Sequence, residues 1–225
     1  KQLIISIGTG RSGSLSLSKF LSSQKKIQVL HEGRLDSHKI RKLIKWENDE
    51  KKLFNWLKFL INYDNQISYI GDTGMYYLPY IELIIEKYPD VKVIGMIRKK
   101  EEVVNSFLRK TEGRNHWCLH DGKKWDADNK WDQCFPKYKI NNKKEAIEKY
   151  YDDYNAKVKL LTKKYADNVK LWSINDFNVK YGKNEILDFI NYKYERNISK
   201  DFKHNTNLKT KKEVIINKLK KWFLV

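Results

Sequence analysis

The chain has 225 residues, 40% apolar and 13% aromatic, which is enough for one substantial core and too little for two, so residues 1–225 read as a single domain. Lys and Arg number 46 against 28 Asp and Glu, and the formal charge of +18 favours anionic partners: nucleic acid, acidic glycans, anionic lipid surfaces or phosphorylated nucleotides. Cys118 and Cys134 are the only cysteines, which excludes a disulfide framework and a multi-cysteine zinc site, and both are expected as reduced thiols. No run approaches the length of a membrane span, and the start KQLIISIG reads as a strand rather than a signal peptide, so a soluble, cytoplasmic protein is expected.

The apolar run Leu3, Ile4, Ile5, Ile7 ends in Gly8-Thr9-Gly10-Arg11-Ser12-Gly13-Ser14, and apolar residues return at Leu15, Leu17, Phe20 and Leu21. That pattern is a buried strand, a tight loop and a helix start. Three glycines let backbone N–H groups crowd together at the positive end of a helix, an arrangement that binds phosphate or sulfate. Arg11 adds a guanidinium to the same loop. A second strand, Ile27 to Leu30, runs into His31-Glu32-Gly33-Arg34, and open α/β sheets place their sites at such strand ends.

From Ser37 to Asn62, apolar residues at helical spacings predict two helices broken near Glu47-Asn48-Asp49. A third strand, Ile67 to Ile70, is expected to stop at Gly71-Asp72-Thr73-Gly74. Pro79 then stands near the front of a helix that Pro89 closes. VKVIGMI, Val91 to Ile97, is a further strand ending at Arg98, and the helix begun at Lys99 can turn Asn105 and Ser106 back toward the strand end.

Between Arg109 and Tyr138 the periodicity disappears while Trp117, Trp125, Trp131 and Phe135 stand among Asp, Lys and His. The aromatic content argues against disorder, so residues 109–138 read as a lid or acceptor-binding loop, or as a surface loop pinned down by its tryptophans. Glu145 to Tyr165 is a helix, Val169 to Trp172 a strand, Ile186 to Ile190 part of a helix, and Lys209 to Phe223 a final basic helix. Strands alternating with helices predict an α/β fold, a central parallel sheet with helices on both faces.

The opening loop fails as a nucleoside-triphosphate loop, G-x-x-x-x-G-K-[ST], because Ser14 occupies the lysine position and Leu15 the position of the Mg²⁺-binding hydroxyl. What remains is a loop for an anion without a metal, its cation supplied at Arg11. Arg98 followed by Ser106 gives R-x7-S, in which a guanidinium fork and a helix hydroxyl could grip one phosphate together.

These two elements resemble the sulfotransferases that use 3′-phosphoadenosine 5′-phosphosulfate (PAPS), especially bacterial, carbohydrate and tyrosylprotein members. The family's loop, roughly P-[KR]-S-G-T-T, is matched by Gly10-Arg11-Ser12-Gly13-Ser14-Leu15, with Gly10 for the usual Pro and Leu15 for a second Thr; YLPYIELIIEKYPDVKVIGMIR adds to the likeness. The resemblance implies a P-loop NTPase-like sulfotransferase fold and PAPS held by Gly10, Arg11, Ser12, Gly13, Ser14, Leu15, Ser16, Arg98 and Ser106. It also implies a metal-independent in-line transfer to an acceptor hydroxyl or amine, with 3′-phosphoadenosine 5′-phosphate (PAP) as the product nucleotide. Sulfuryl transfer needs a general base, cations over the moving group and stabilisation of the leaving 5′-phosphate. Arg11 suits the cation. Glu32, in a turn like the family's glutamate-bearing one, is the candidate base, with His31 and Asp72 as rivals and a salt bridge to Arg34 as its structural alternative. No clear counterpart of the family's C-terminal R-K-G loop is present, and Lys209, Lys211 and Lys212 are named for that role without a motif to support them.

The partners so implied are PAPS and a small-molecule, glycan or peptide acceptor. A basic nucleic-acid or polyanion module, resting on the charge and on Trp117 to Phe135, is the second reading. A nucleotide kinase is the third, opposed by the missing lysine.

Overall fold

The structure, a computed structural model, describes residues 1–34 and 41–198. Five strands, β1 (Gln2–Ile7), β2 (Ile27–His31), β3 (Tyr69–Thr73), β4 (Lys92–Ile97) and β5 (Val169–Ser173), form one sheet in the order β2-β3-β1-β4-β5. Every neighbouring pair is parallel. Strand β1 lies at the centre, where the order reverses, so its carboxyl end opens into the crevice that such sheets reserve for ligands.

Alternation along β1 explains the layering, because successive side chains point to opposite faces. Leu3, Ile5 and Ile7 join one core with residues of α2 (Glu50–Asn62), α3 (Ile81–Lys87), α4 (Lys100–Lys110) and α5 (Lys143–Lys164). Ile4 faces the other way, into a second core with Leu17, Phe20 and Leu21 of α1 (Ser14–Ser22), Phe177 of α6 (Ile174–Phe177), and Ile186 and Leu187 of α7 (Lys180–Phe189). The expected α/β architecture, helices on both faces of a parallel sheet, is the one observed.

Three expectations change. Residues 41–49 are not helical: Leu43 and Ile44 are buried as expected, but from an irregular segment that Lys42 N and Trp46 N tie to Gly33 O and Gln133 O. Strand β3 runs through Gly71, Asp72 and Thr73 instead of stopping before them. Gly71 is needed inside it, since a Cβ there would lie 1.9 Å from the Ile4 carbonyl oxygen of β1. Pro79 falls in a 3-10 helix, Met75–Tyr80, that precedes α3 rather than opening it. The basic helix expected at 209–223 and the lysines at 209, 211 and 212 lie outside the described residues.

Between α4 and α5 the only regular element is a 3-10 turn, Asp132–Cys134. Trp117 and Phe135 are fully buried, packing on Phe107 of α4 and Tyr150 of α5. The segment is therefore anchored at both ends, while Trp125 and Trp131 stay partly exposed. Both cysteines are free. Among the described residues, no helix is long and apolar enough to cross a membrane.

Candidate active site

Residues 8–13 turn tightly from the end of β1 into α1. Gly10, Arg11 and Gly13 all take left-handed φ, at 79°, 59° and 101°. For Arg11, a residue with a Cβ, that conformation is strained by roughly 1 kcal/mol or more. Helix α1 begins with no side-chain cap, so its first N–H groups, including those of Ser14, Leu15 and Ser16, have no partner within the helix. Ser12 Oγ is buried and has no hydrogen-bond partner. Together these are unmet donors at the positive end of a helix dipole, which is what an anion satisfies.

Two tyrosines of α5 hold this loop in place. Tyr150 donates its hydroxyl to Thr9 O at 3.0 Å. Tyr154 accepts from Gly8 N at 3.0 Å and donates to Met75 O at 3.0 Å. Tyr151 donates to Arg98 O at 2.6 Å, so a third tyrosine of the same helix reaches the end of β4. Gly10 lies against the Phe107 ring, whose Cζ is 3.0 Å from where a Cβ would sit. Read from the sequence, Tyr150, Tyr151 and Tyr154 are only apolar-face packing residues. Their hydroxyls are what fasten the strand ends.

Arg11 bridges the two predicted anion motifs. Its Nε donates to Ser106 Oγ at 2.9 Å, although 95 residues separate them. Arg98 donates from Nη1 to Arg11 O at 3.3 Å and from Nε to Glu102 Oε2 at 2.5 Å. The predicted pair Arg98 and Ser106 thus stands on either side of Arg11. Asn105 is exposed. Burial lowers the Arg11 guanidinium from its ordinary value, Glu32 pushes it back up, and Arg98 and Arg109 lower it further. An anion placed among Arg11, Arg98 and Arg109 relieves that crowding of like charge.

Across the crevice, β2 ends in a turn. Glu32 and Gly33 have φ of 53° and 63°, and Glu32 N donates to Thr73 O at 2.8 Å. Gly33 tolerates no side chain, since a Cβ would lie 2.4 Å from Lys42 O. The Glu32 carboxylate, about one-fifth exposed, pairs with Arg41 rather than with Arg34. Arg41 also lies over the Trp131 ring, 5.7 Å from its centre. His31 is within 3.1 Å of Ser14 Oγ through Nε2, and its Nδ1 is 3.6 Å from Glu32 Oε2. Burial lowers the His31 imidazole, which leaves it neutral at pH 7. Asp72, the other rival to Glu32, is fully buried and encircled by donors, with no exposed face for a substrate.

The structure thus brings Gly10 to Ser16, Arg98, Ser106, His31 and Glu32 to one end of the sheet and sets Asp72 behind them. The sequence carried no signal of these roles for Arg41, which meets Glu32 nine residues away, or for the hydroxyls of Tyr150 and Tyr154, which meet the loop 141 and 146 residues away.

No curated protein matches this chain. The solved structure of a sulfotransferase from Alicyclobacillus acidocaldarius is similar to it, with a TM-score of 0.53 and 14% identity, over 89% of this chain and 86% of that one. At that identity the likeness shows the fold alone, the P-loop-like sulfotransferase fold. A family model described as "Sulfotransferase domain" matches residues 3–194, and with most of its length so matched the chain belongs to the sulfotransferase domain family.

Proposed function

We propose that the chain transfers a sulfuryl group from PAPS to a hydroxyl or amine of an acceptor, releasing PAP. The observation that carries this reading is the bond from Arg11 Nε to Ser106 Oγ, which joins the loop after β1 to the helix after β4. Two anion sites so linked suit a nucleotide with two separated phosphate groups. The uncapped start of α1 and the unpartnered Ser12 Oγ suit the phosphosulfate end.

In this reading the loop from Gly10 to Ser16 holds the 5′-phosphosulfate, and Arg98 with Ser106 holds the 3′-phosphate. When bound, PAPS supplies the sulfuryl group, its S–O bond to the 5′-phosphate breaking as the acceptor's bond to sulfur forms. Arg11 and the N–H groups of Ser12 to Ser16 take up the charge left on the phosphate. Glu32 accepts the acceptor's proton, and its pairing with Arg41 fixes where the carboxylate points. His31, neutral and bonded to Ser14, keeps the two sides of the crevice in register. The loop needs no metal, because Ser14 and Leu15 replace the lysine and the Mg²⁺ ligand of a triphosphate loop.

The segment 109–138 is assigned to the acceptor. An open surface depression lined in part by His120, Lys124, Trp125 and Asn141 offers aromatic and polar groups to an acceptor. Polyanion binding through stacked aromatics is disfavoured, because Trp117 and Phe135 are in the core. Turnover of labelled PAPS over an acceptor panel, run on the wild type and Glu32→Gln, tests the mechanism. The variant is expected to lose about 10²- to 10⁴-fold in kcat with PAP affinity unchanged. Full turnover by Glu32→Gln refutes the assigned base.

A further inference from the structure

Asp72 presents a problem that sulfuryl transfer by the residues above does not solve. It is fully buried at the carboxyl end of β3. Among the described residues no cation pairs with it; its partners are all neutral donors. Gly33 N donates to both of its oxygens, at 3.1 and 3.0 Å. Thr73 N donates at 2.9 Å and the Tyr77 hydroxyl at 2.7 Å, while Trp56 Nε1 and the Tyr76 hydroxyl approach at 3.4 Å. A carboxylate held this way opposes folding unless its hydrogen bonds recover the loss of hydration. Burial pushes it up to about 6 in spite of them.

Strand pairing does not require this carboxylate. The β2–β3 ladder already aligns Leu30 with Asp72 and His31 with Thr73. The bonds from Gly33 lie past the end of that ladder, in the turn that carries Glu32. The backbone of Glu32 is thereby gripped on both sides, by Glu32 N to Thr73 O and by Gly33 N to Asp72. Two successive left-handed residues form a turn that the chain does not favour by itself. A pair of acceptors from β3 holds it.

We propose that Asp72 is a positioning residue for the transfer step, clamping the Gly33 amide so that the Glu32 carboxylate meets the acceptor at the crevice. This rests on Glu32 being the base. Asp72 touches neither substrate nor donor. It acts through the Gly33 N–H, and its other donors, Thr73 N, Tyr76, Tyr77 and Trp56, hold it in place. A displacement of the base by about 1 Å is enough to lower the rate about 10²-fold.

The deciding variant is Asp72→Ser, whose short side chain does not reach Gly33. It is compared with wild type and Glu32→Gln by calorimetric titration of PAP and by steady-state turnover, with kcat expressed per PAP-binding site. Positioning predicts a fall in kcat of about 10- to 100-fold, with PAP affinity and the KM for PAPS within about threefold of wild type. A purely structural role predicts fewer binding sites and an unchanged kcat per site, and that result overturns the proposal. If Glu32→Gln keeps full turnover, the base reading itself is wrong; if only Glu32→Gln loses turnover, positioning alone is wrong. Should Asp72→Ser not fold, the wild-type pH profile decides. A protonated Asp72 among donors loses acceptors, so kcat should fall below about pH 6 while PAP still binds. Because protonation of the base Glu32 in the adjoining turn also lowers kcat in acid, Asp72→Asn, which cannot titrate, is run alongside and should lack that step. Of the groups around it, Tyr76 and Tyr77 titrate far higher, Trp56 does not titrate, and the nearby Cys134 is pushed up to about 12. His31, beyond the turn, is lowered by burial. A kcat that stays flat from pH 7.5 down to 5 contradicts the proposal.

Discussion

Tyr154→Phe removes a single hydroxyl that does two things. It accepts the N–H of Gly8, at the root of the anion loop, and it donates to Met75 O at the start of the 3-10 helix after β3. Tyr154 is 2% exposed, and the groups it serves are buried with it. The phenylalanine fills the same ring volume and offers neither function, so the buried Gly8 N–H and the buried Met75 carbonyl each lose this hydrogen bond. An unmet buried backbone group costs about 1–3 kcal/mol, and because two are lost from one shared site, about 2–4 kcal/mol is expected in total. For a domain of this size that lowers Tm by about 5–15 °C. Thermal unfolding by circular dichroism gives the stability, and titration of PAP gives the state of the loop. Tyr150→Phe is the internal comparison, since among the described residues its hydroxyl serves Thr9 O alone and its loss should cost about half as much. A Tyr154→Phe protein that melts within 2 °C of wild type and binds PAP equally well would show that the tyrosine clamp on the loop carries no weight.

Ser106→Ala deprives Arg11 Nε of its partner and should weaken PAP binding by about 3- to 10-fold without altering Tm, as measured by titration and unfolding. Gly33→Ala puts a Cβ against Lys42 O at left-handed φ, so a stability loss of about 2–4 kcal/mol and a loss of turnover are expected in denaturant melts and assays. Asp72 is raised from 3.8 unfolded to about 6 folded, so the folded state holds its proton more tightly. Its stabilising contribution is complete below 3.8 and is lost as pH rises through 6, a swing of about 3 kcal/mol. Asp72→Asn should therefore destabilise more at pH 4 than at pH 7, which urea melts at the two values will show. Glu82 sits on the surface with Lys157, Lys164 and Tyr165, and Glu82→Gln should cost no more than about 1 kcal/mol because solvent screens such pairs.

The parts of the fold legible in the sequence are those whose signal is local. The run Leu3 to Ile7 and the glycine turn after it marked β1 and the loop, and VKVIGMI marked β4, because buried strands bounded by turns are continuous apolar runs. Arg11 and Ser106 were legible as separate anion readers. Their direct bond was not, since it depends on how β1 and β4 lie side by side. Strand β3 reads too short in the sequence because Gly71 and Asp72 look like turn residues, and the approach of β1 and the donors of Gly33, Tyr77 and Trp56 explain them inside a strand. Leu43 and Ile44 had the spacing of a helix, yet they are buried from an irregular segment tied to Gly33 and Gln133. Periodicity reports which side chains go inward, and here it did not report the backbone that carries them. The aromatics of 109–138 divide in a way composition does not reveal: Trp117 and Phe135 close the core, and Trp125 and Trp131 remain at the surface.

In the proposed function, the crevice beside β1 binds a nucleotide with separate 3′- and 5′-phosphate groups and needs no metal. Calorimetric titration of the purified protein with PAP in the presence of EDTA tests it most directly, set beside ATP with Mg²⁺ under the same conditions. Saturable one-site binding of PAP that EDTA does not weaken, and weaker binding of ATP, are expected. Failure of PAP to bind, or tighter binding of ATP with Mg²⁺, would contradict it.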